Sequence, residues 1–168
     1  MKGYQKPAEL YDGLRLHQNE NTGGCSPRVL QALGRLTAEQ AAFYPPYAEA
    51  TAACASYLGV DADRLSLVNG LDEGIMALAV GYLRSTPELP CPEAIIPEPA
   101  FEIFAFDTEI VGGCPVRVAP NPDFSFPLDR VLGAITPRTR VVFVTNPNNP
   151  TGVAVPLEAI RTLAAAVP

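Results

Sequence analysis

Polar and conformationally special residues follow three apolar segments of this sequence, each at a point where a strand is predicted to end. The apolar segments are residues 65–68, 94–96 and 141–144, and the junctions after them are residues 69–73, 97–101 and 145–152. In open α/β sheets, ligands bind beyond the carboxyl ends of the strands. The three junctions are therefore the places where we expect a binding site.

The first junction, Asn69-Gly70-Leu71-Asp72-Glu73, is predicted to run from a strand through a tight turn into a helix. Gly70 allows close approach of the backbone, and the free N–H groups in the first turn of a helix form an anion site. A phosphate group fits there without any lysine. The alternative is plain structure, in which Asp72 and Glu73 only complement the helix dipole.

The second junction carries an aromatic ring. Two prolines flank Glu98 and predict an irregular turn, one that is compatible with a cis peptide bond before Pro99. This turn delivers Phe101 toward the same crevice, where its ring could stack on a planar cofactor. The alternative is a core phenylalanine that packs with Phe104 and Phe106, and from this segment alone the alternative is favoured.

The third junction, residues 145–152, reads Thr-Asn-Pro-Asn-Asn-Pro-Thr-Gly and follows the most apolar predicted strand. Three asparagines and two prolines build a rigid loop that can direct a side-chain amide at a ligand, whereas a routine turn needs far fewer special residues. This is the most specific signal in the sequence. Here the functional interpretation is favoured over the structural one.

Alternating helices and strands are predicted to position these junctions. The strands are predicted at residues 65–68, 94–96, 115–118 and 141–144, and the helices at residues 72–83, 101–110, 128–135 and 157–166. Strands separated by helices need crossover connections and form a largely parallel sheet. We therefore predict an α/β fold with three layers, in which a mostly parallel sheet has helices on both faces.

The segment before the first predicted strand has a different organisation. The first 24 residues lack clear periodicity and are predicted to form an N-terminal arm. Ser26 and Pro27 then supply an N-cap and a proline at the first helical position, which opens a helix through Leu36. Two adjacent prolines break this helix within residues 43–47, and a second predicted helix ends at Gly59.

Composition excludes several classes of function. The chain has 168 residues with 12 basic and 18 acidic side chains, which gives a formal net charge of −6. A nucleic-acid-binding surface is not expected, because phosphate contacts need clustered lysine and arginine. No stretch approaches the roughly 18 apolar residues of a membrane span, and the N-terminus turns polar early. We expect a soluble, cytoplasmic protein that binds neither nucleic acid nor membrane.

Cysteine and histidine usage gives no metal site. The cysteines at positions 25, 54, 91 and 114 match no metal-binding or redox spacing, so four reduced thiols are predicted. His17 is the only histidine in the sequence and cannot assemble a multi-histidine metal site. We predict a structural or surface role for His17 and no bound metal.

Five short motifs occur along the chain in an order that identifies a family resemblance. They are Leu16-His17-Gln18-Asn19-Glu20-Asn21, Tyr44-Pro45, Asn69-Gly70-Leu71-Asp72-Glu73, Pro99-Ala100-Phe101 and Asn149-Pro150-Thr151-Gly152. With these motifs the chain resembles the N-terminal half of the fold-type I, pyridoxal-phosphate-dependent aminotransferases of class I/II, most of all the histidinol-phosphate aminotransferase branch. The resemblance implies an incomplete pyridoxal-phosphate-binding large domain in residues 61–168, after the arm and first helices in residues 1–60.

The resemblance implies a cofactor role for each residue that matches a family motif. Gly70, with the backbone N–H groups of Leu71 and Asp72, would hold the phosphate of pyridoxal 5'-phosphate. Phe101 would stack on the pyridine ring of the cofactor. Asn149 would donate a hydrogen bond to its phenolic oxygen.

Further roles follow from the same resemblance. Tyr44 matches a tyrosine that reaches the phosphate in the neighbouring subunit, which implies a homodimer. Glu20 and Asn21 lie in the arm that lines the substrate pocket. The implied reaction moves an amino group between an amino acid or a histidinol-phosphate-like amino-phosphate and a 2-oxo acid.

The sequence lacks groups that this chemistry needs. The family uses a lysine that forms an internal Schiff base, an acidic residue at the pyridinium nitrogen and an arginine for the substrate carboxylate. The two lysines, Lys2 and Lys6, both lie in the arm, so no catalytic residue is assigned in this chain. We expect a chain truncated at its C-terminal end that is inactive alone. The alternative is a non-catalytic fragment with at most weak cofactor or phosphate binding.

A nucleotide-binding Rossmann domain is the competing enzyme hypothesis. It predicts a G-x-G-x-x-G turn after the first strand, where glycines let the backbone approach a pyrophosphate. The segment from Asn69 to Gly74 does not supply this pattern. We therefore rank the Rossmann hypothesis below both the aminotransferase and the fragment hypotheses.

Overall fold

The computed structural model describes residues 13, 15, 16 and 18–167. Among the described residues, the chain divides into two compact units between Leu67 and Val68, with those up to Leu67 in the first unit and those from Val68 onward in the second. His17 lies outside the described residues, so its structural or surface role stays a prediction. Most of the predicted N-terminal arm before residue 13 also lies outside them.

Three helices and a short 3-10 turn are described in the first unit. They are α1 (Pro27–Leu33), α2 (Ala38–Ala42), α3 (Tyr47–Leu58) and the turn Ala62–Arg64. The prediction of one helix through Leu36 is wrong, because α1 ends at Leu33 with Gly34 as its C-cap, and Thr37 is the N-cap of a new helix. The Thr37 hydroxyl accepts from the Gln40 N–H at 3.2 Å, and the Gln40 side chain accepts from the Thr37 N–H at 3.0 Å. This capping box starts α2.

The other boundaries predicted for these helices are confirmed. The Ser26 hydroxyl accepts a hydrogen bond from the N–H of Arg28 at 3.3 Å, and Pro27 occupies the first helical position. α3 begins after Pro46 and ends at Gly59, which has a left-handed φ of 68°. These boundaries follow from the backbone chemistry of a few adjacent residues.

The second unit is built on a parallel sheet, as predicted. Its strands are β1 (Glu93–Pro97), β2 (Cys114–Val118) and β3 (Thr139–Val142), and their order in the sheet is β2-β1-β3. Ile95 of β1 pairs with Val116 of β2 on one side and with Val142 of β3 on the other. Because all three strands run in the same direction, their carboxyl ends share one edge of the sheet.

The strand predicted at residues 65–68 is wrong. This segment forms no strand, and the backbone hydrogen bonds at its two ends are local. The N–H of Leu65 donates to the Ala62 carbonyl, and the N–H of Gly70 donates to the Val68 carbonyl. Val68 remains 46% exposed. A strand needs a ladder of hydrogen bonds to a second strand, and no described residue provides that ladder here.

Four helices cover both faces of the sheet. They are α4 (Gly70–Tyr82), α5 (Ile103–Ile110), α6 (Leu128–Gly133) and α7 (Leu157–Ala166). Ile96 packs with Ile75 of α4 and Phe104 of α5. Ile95, which points to the opposite face, packs with Val131 of α6 and with α7. The predicted three-layer α/β architecture is confirmed. No helix among the described residues is long and apolar enough to cross a membrane.

Cys91 and Cys114 form a disulfide, so the prediction of four reduced thiols is wrong for this pair. Cys114 opens β2 and pairs with Glu93 of β1, which places it close to Cys91 just before β1, with 5.3 Å between the two Cα atoms. Cys25 and Cys54 are free. The register of the parallel strands brings the two sulfurs together, and spacing along the chain does not reveal that register.

A buried carboxylate joins the start of β1 to the segment before β3. Glu93 is buried, and its carboxylate accepts hydrogen bonds from the Thr136 hydroxyl and the Arg138 guanidinium. Burial on its own would raise the pKa of Glu93, but the hydrogen bonds from Thr136 and Arg138 hold that pKa below its usual value. The fold therefore stabilises the charged form of Glu93.

We expect Arg138→Ala to lower the free energy of unfolding by about 2 kcal/mol at pH 7, because the buried carboxylate loses a charged donor. Since folding lowers the pKa of Glu93, the stabilisation is present above the ordinary value of 4.5 and is lost as the pH falls through the folded-state value. Urea denaturation of the two chains at a series of pH values measures this difference.

Arg161→Ala is the matched control for Arg138→Ala. It removes an exposed ion pair with Glu158 and should change the free energy of unfolding by less than about 0.5 kcal/mol. A stability gap for Arg138→Ala that stays constant from neutral to acidic pH would show that Glu93 does not carry the effect.

Candidate functional site

The first junction forms an open turn at the start of α4. Gly70 has a left-handed φ of 80°, and no heavy atom outside its chain neighbours and the backbone of α4 lies within 4 Å of the position that a Cβ would take there. The N–H groups of Leu71 and Asp72 lie in the first turn of α4, where no carbonyl of the same helix accepts from them. The Asn69 side chain does not cap the helix. The turn thus offers two backbone donors and unfilled space to an anion.

Acidic groups surround this turn. The Glu73 carboxylate accepts a hydrogen bond from the backbone N–H of Asn69. Asp107 of α5 is buried, and burial together with repulsion by Asp72 raises the pKa of Asp107. Backbone donors and the helix dipole would hold an anion at this turn, against the charge of Asp72.

The second junction has the irregular geometry that its prolines predict. The Glu98–Pro99 peptide bond is cis, and the Glu98 carboxylate pairs with Arg117. Phe101 is half-buried, and its ring meets that of Phe104 edge to face, with 5.9 Å between centroids and 86° between planes. Phe101 therefore lies at the border of the core and keeps part of its ring exposed.

Two of the three asparagines in the third junction are used to build the loop. The Asn146 side-chain oxygen accepts a hydrogen bond from the N–H of Val155 at 3.0 Å. The Asn148 side-chain nitrogen donates to the Thr151 hydroxyl at 3.1 Å and to the Pro99 carbonyl at 3.0 Å. Both side chains are therefore engaged within the protein.

Asn149 differs from its two neighbours. Its side chain is half-buried and forms no hydrogen bond with any other described residue. The rigid loop around it fixes the backbone, since the N–H of Gly152 donates to the Asn148 carbonyl at 2.7 Å and the N–H of Asn148 donates to the Val153 carbonyl at 2.9 Å. The Asn149 amide is therefore available to a ligand, and the backbone that carries it is fixed by the hydrogen bonds of the loop.

The remaining predicted site residues lie in the first unit. Tyr44 is 99% exposed. The Glu20 carboxylate pairs with Arg15 at 2.8 Å, and the Asn21 amide donates to the Gly24 carbonyl at 2.6 Å. Glu20 and Asn21 thus make local contacts with other residues near the start of the chain.

Sequence reasoning missed a cavity of mixed polar and apolar lining among the loops that follow the three strands. Phe124 and Phe126, from the loop after β2, line it together with Phe104. Ala100 and Asn148 also line the cavity, whereas Phe101 and Asn149 do not. The phenylalanines at 124 and 126 were visible in the sequence, but the turn at Asn121-Pro122-Asp123 gives no sign of which neighbours they meet.

The donor set of the second unit suits an anionic, planar ligand better than a metal ion. No group of three or more metal-ligating side chains occurs among the described residues. The backbone donors at Leu71 and Asp72 match an anion, the partly exposed ring of Phe101 matches a planar group, and the Asn149 amide matches a polar ring substituent.

Comparisons with known proteins identify the family of this chain. The family described as Aminotransferase class I and II matches residues 11–168. The chain is 36% identical to a histidinol-phosphate aminotransferase of Moorella thermoacetica over 168 residues, which cover 98% of this chain and 41% of that protein. The chain therefore spans less than half the length of this relative.

Solved structures show the same fold. The histidinol-phosphate aminotransferase of Sinorhizobium meliloti, in complex with pyridoxal-5'-phosphate, superposes with a TM-score of 0.78 at 22% identity, over 90% of this chain and 40% of that one. The N-succinyldiaminopimelate aminotransferase of Mycobacterium tuberculosis superposes with a TM-score of 0.69 at 26% identity, over 84% of this chain and 39% of that one. From its sequence match and its fold, this chain belongs to the class I and II aminotransferase family.

Proposed function

We propose that this chain is the N-terminal part of an aminotransferase that moves an amino group between a histidinol-phosphate-like amino donor and a 2-oxo acid. Membership of the class I and II family supports the reaction class, and the similarity to histidinol-phosphate aminotransferases supports the donor. The observation that carries the proposal is the Asn149 amide, which has no partner among the described residues although Asn146 and Asn148 beside it are engaged.

Pyridoxal phosphate is the cofactor of this proposal. Gly70 leaves room for its phosphate, and the N–H groups of Leu71 and Asp72 bind that phosphate. Phe101 packs on the pyridine ring, and Asn149 donates to the phenolic oxygen. When bound, the cofactor supplies an electron sink for bond breaking at the α-carbon of the substrate. The residues of this chain contribute binding and orientation.

The proposal also includes a homodimer. Tyr44 is almost fully exposed, so its hydroxyl can enter a neighbouring subunit and contact the cofactor phosphate there. Glu20 and Asn21 line the substrate pocket in the same proposal. Their contacts with Arg15 and Gly24 support an ordered segment around them.

A second candidate function is a non-catalytic segment that binds phosphate or cofactor weakly. The observation that favours it is the lysine content, since Lys2 and Lys6 are the two lysines in the sequence and the family's chemistry needs a lysine at the cofactor. Incubation with pyridoxal phosphate, reduction with borohydride and peptide mapping test this candidate. Labels shared among Lys2, Lys6 and the N-terminal amine would support this candidate, whereas a stoichiometric adduct at a single one of these amines would contradict it.

Asn149→Ala is expected to weaken binding of pyridoxamine 5'-phosphate about tenfold, the cost of one hydrogen bond to the phenolic oxygen. Pyridoxamine phosphate is the probe because it has no aldehyde and so cannot react with Lys2 or Lys6. Titration followed by the fluorescence of the pyridine ring measures the dissociation constant. Gln31→Ala, an exposed amide on α1, is the control and should leave it unchanged. Equal affinities for Asn149→Ala and the unchanged chain would overturn the role of Asn149.

A further inference from the structure

One side chain links the two loops that carry the candidate cofactor residues. The Asn148 amide nitrogen donates to the Pro99 carbonyl at 3.0 Å, across 49 positions of sequence, and to the Thr151 hydroxyl at 3.1 Å. Pro99 lies two residues before Phe101, and Asn148 lies directly before Asn149. The NH₂ group of Asn148 thus links the loop that carries Phe101 to the loop that carries Asn149.

The chemistry of this link requires an amide. Both of its partners accept, because Pro99 contributes a carbonyl oxygen and the Thr151 hydroxyl oxygen accepts from Asn148 as well as from the N–H of Val153 at 3.3 Å. An amide nitrogen carries two hydrogens and serves both acceptors at once. An aspartate at position 148 has the same shape but no donor, so it would place a carboxylate against the Pro99 carbonyl.

Asn146 provides a comparison within the same loop. Its side chain accepts from the N–H of Val155, nine positions away in sequence, and makes no contact with the loop after β1 among its hydrogen bonds. Loss of the Asn146 side chain therefore loosens the loop after β3 alone. Loss of the Asn148 side chain releases that loop from the loop after β1 as well.

We propose that Asn148 is a positioning residue that holds Phe101 and Asn149 in a fixed relation, so that both engage one planar ligand. This inference rests on the proposed function. It adds a residue whose own side chain does not bind the ligand, because the Asn148 amide nitrogen already donates to the Pro99 carbonyl and to the Thr151 hydroxyl. Its effect on binding is transmitted through the backbone of two loops.

Hydrogen exchange of backbone amides tests the link without any ligand. For Asn148→Ala and Asn148→Asp, exchange should accelerate in the loop after β1 and in the loop after β3. For the control Asn146→Ala, it should accelerate in the loop after β3 only. Acceleration confined to the loop after β3 in all three variants would overturn the proposal, because Asn148 would then support its own loop alone.

Titration with pyridoxamine 5'-phosphate tests the positioning role. Asn148→Ala should weaken binding about fivefold, as the loss of a polar link that orders a ligand-binding amide. The double variant Asn148→Ala with Asn149→Ala should bind no more weakly than Asn149→Ala alone, because the relation that Asn148 fixes between Phe101 and Asn149 no longer affects binding once the Asn149 amide is gone. The positioning role would be overturned if the losses of affinity in the two single variants added up in the double variant. It would also be overturned if Asn148→Ala bound the probe as tightly as the unchanged chain while Asn149→Ala bound it more weakly. Failure of the unchanged chain to bind the probe would instead overturn the proposed function, and the exchange result would still decide whether Asn148 couples the loops.

Discussion

Gly113→Ala is expected to lower the free energy of unfolding by about 3 kcal/mol, because the added methyl group overpacks a closed corner of the second unit. A Cβ at this position would lie 2.9 Å from the Leu83 carbonyl oxygen, 3.0 Å from the Thr108 methyl group and 3.1 Å from the Pro92 carbonyl oxygen. Two of these three contacts are with backbone atoms. The corner has no flexible side chain that could move aside.

The neighbours of Gly113 are held in place by the core and by hydrogen bonds. Leu83 and Thr108 are fully buried, and the Thr108 hydroxyl donates to the Phe104 carbonyl at 2.7 Å. The N–H of Gly113 donates to the Thr108 carbonyl at 2.9 Å, which anchors the glycine itself. Relief of the overpacking therefore needs a shift of α5 relative to β1 and β2, and that shift is the source of the large cost.

Denaturant unfolding of Gly113→Ala and of Gly81→Ala measures this effect with a matched control. Gly81 lies near the end of α4, is exposed and has no heavy atom within 4 Å of its Cβ position. Alanine there should raise the free energy of unfolding by about 0.5 kcal/mol, because alanine has the higher helix propensity. If the two variants change stability by the same amount and in the same direction, the close packing at Gly113 is not responsible.

The parts of the fold that were predictable are those whose signal is local. α7 matches its predicted bounds, and the apolar residues 94–96 lie within β1. The parallel, doubly covered sheet follows from alternation of such segments. The capping box at Thr37 and Gln40 has a local signal in the sequence, a threonine followed three residues later by glutamine, whereas the apolar spacing through Leu36 favours one continuous helix.

The parts that were not predictable depend on partners distant in sequence. Residues 65–68 have the pattern of a strand, but a strand also needs a neighbour, and the pattern says nothing about one. The three asparagines of the loop after β3 are chemically identical in the sequence. Only the folded loop shows that Asn146 and Asn148 are engaged and that Asn149 is available. Family resemblance thus predicts the candidate cofactor residues, whereas it gives no sign of Asn148 as a link to Pro99.

Reduction of the Cys91–Cys114 disulfide is expected to lower the free energy of unfolding by about 3 kcal/mol, since the bond closes a loop in the unfolded chain and so reduces its entropy. The two cysteines are 23 positions apart, and the loop between them contains all of β1 and α5. Both cysteines are half-buried, so a small thiol reagent can reach them. Urea denaturation with and without a reductant, together with a count of free thiols, measures the effect.

Variants at the other two cysteines separate the disulfide from unspecific effects of the reductant. A chain with Cys25→Ser and Cys54→Ser should show no free thiol before reduction, two after it, and the same loss of stability as the unchanged chain. A chain with Cys91→Ser and Cys114→Ser should have the stability of the reduced chain and no response to reductant. β1 and β2 are also paired by backbone hydrogen bonds, so the reduced chain keeps its strand order. The stability lost on reduction is therefore that of the crosslink alone. Four free thiols in the unreduced, unchanged chain would contradict the disulfide itself.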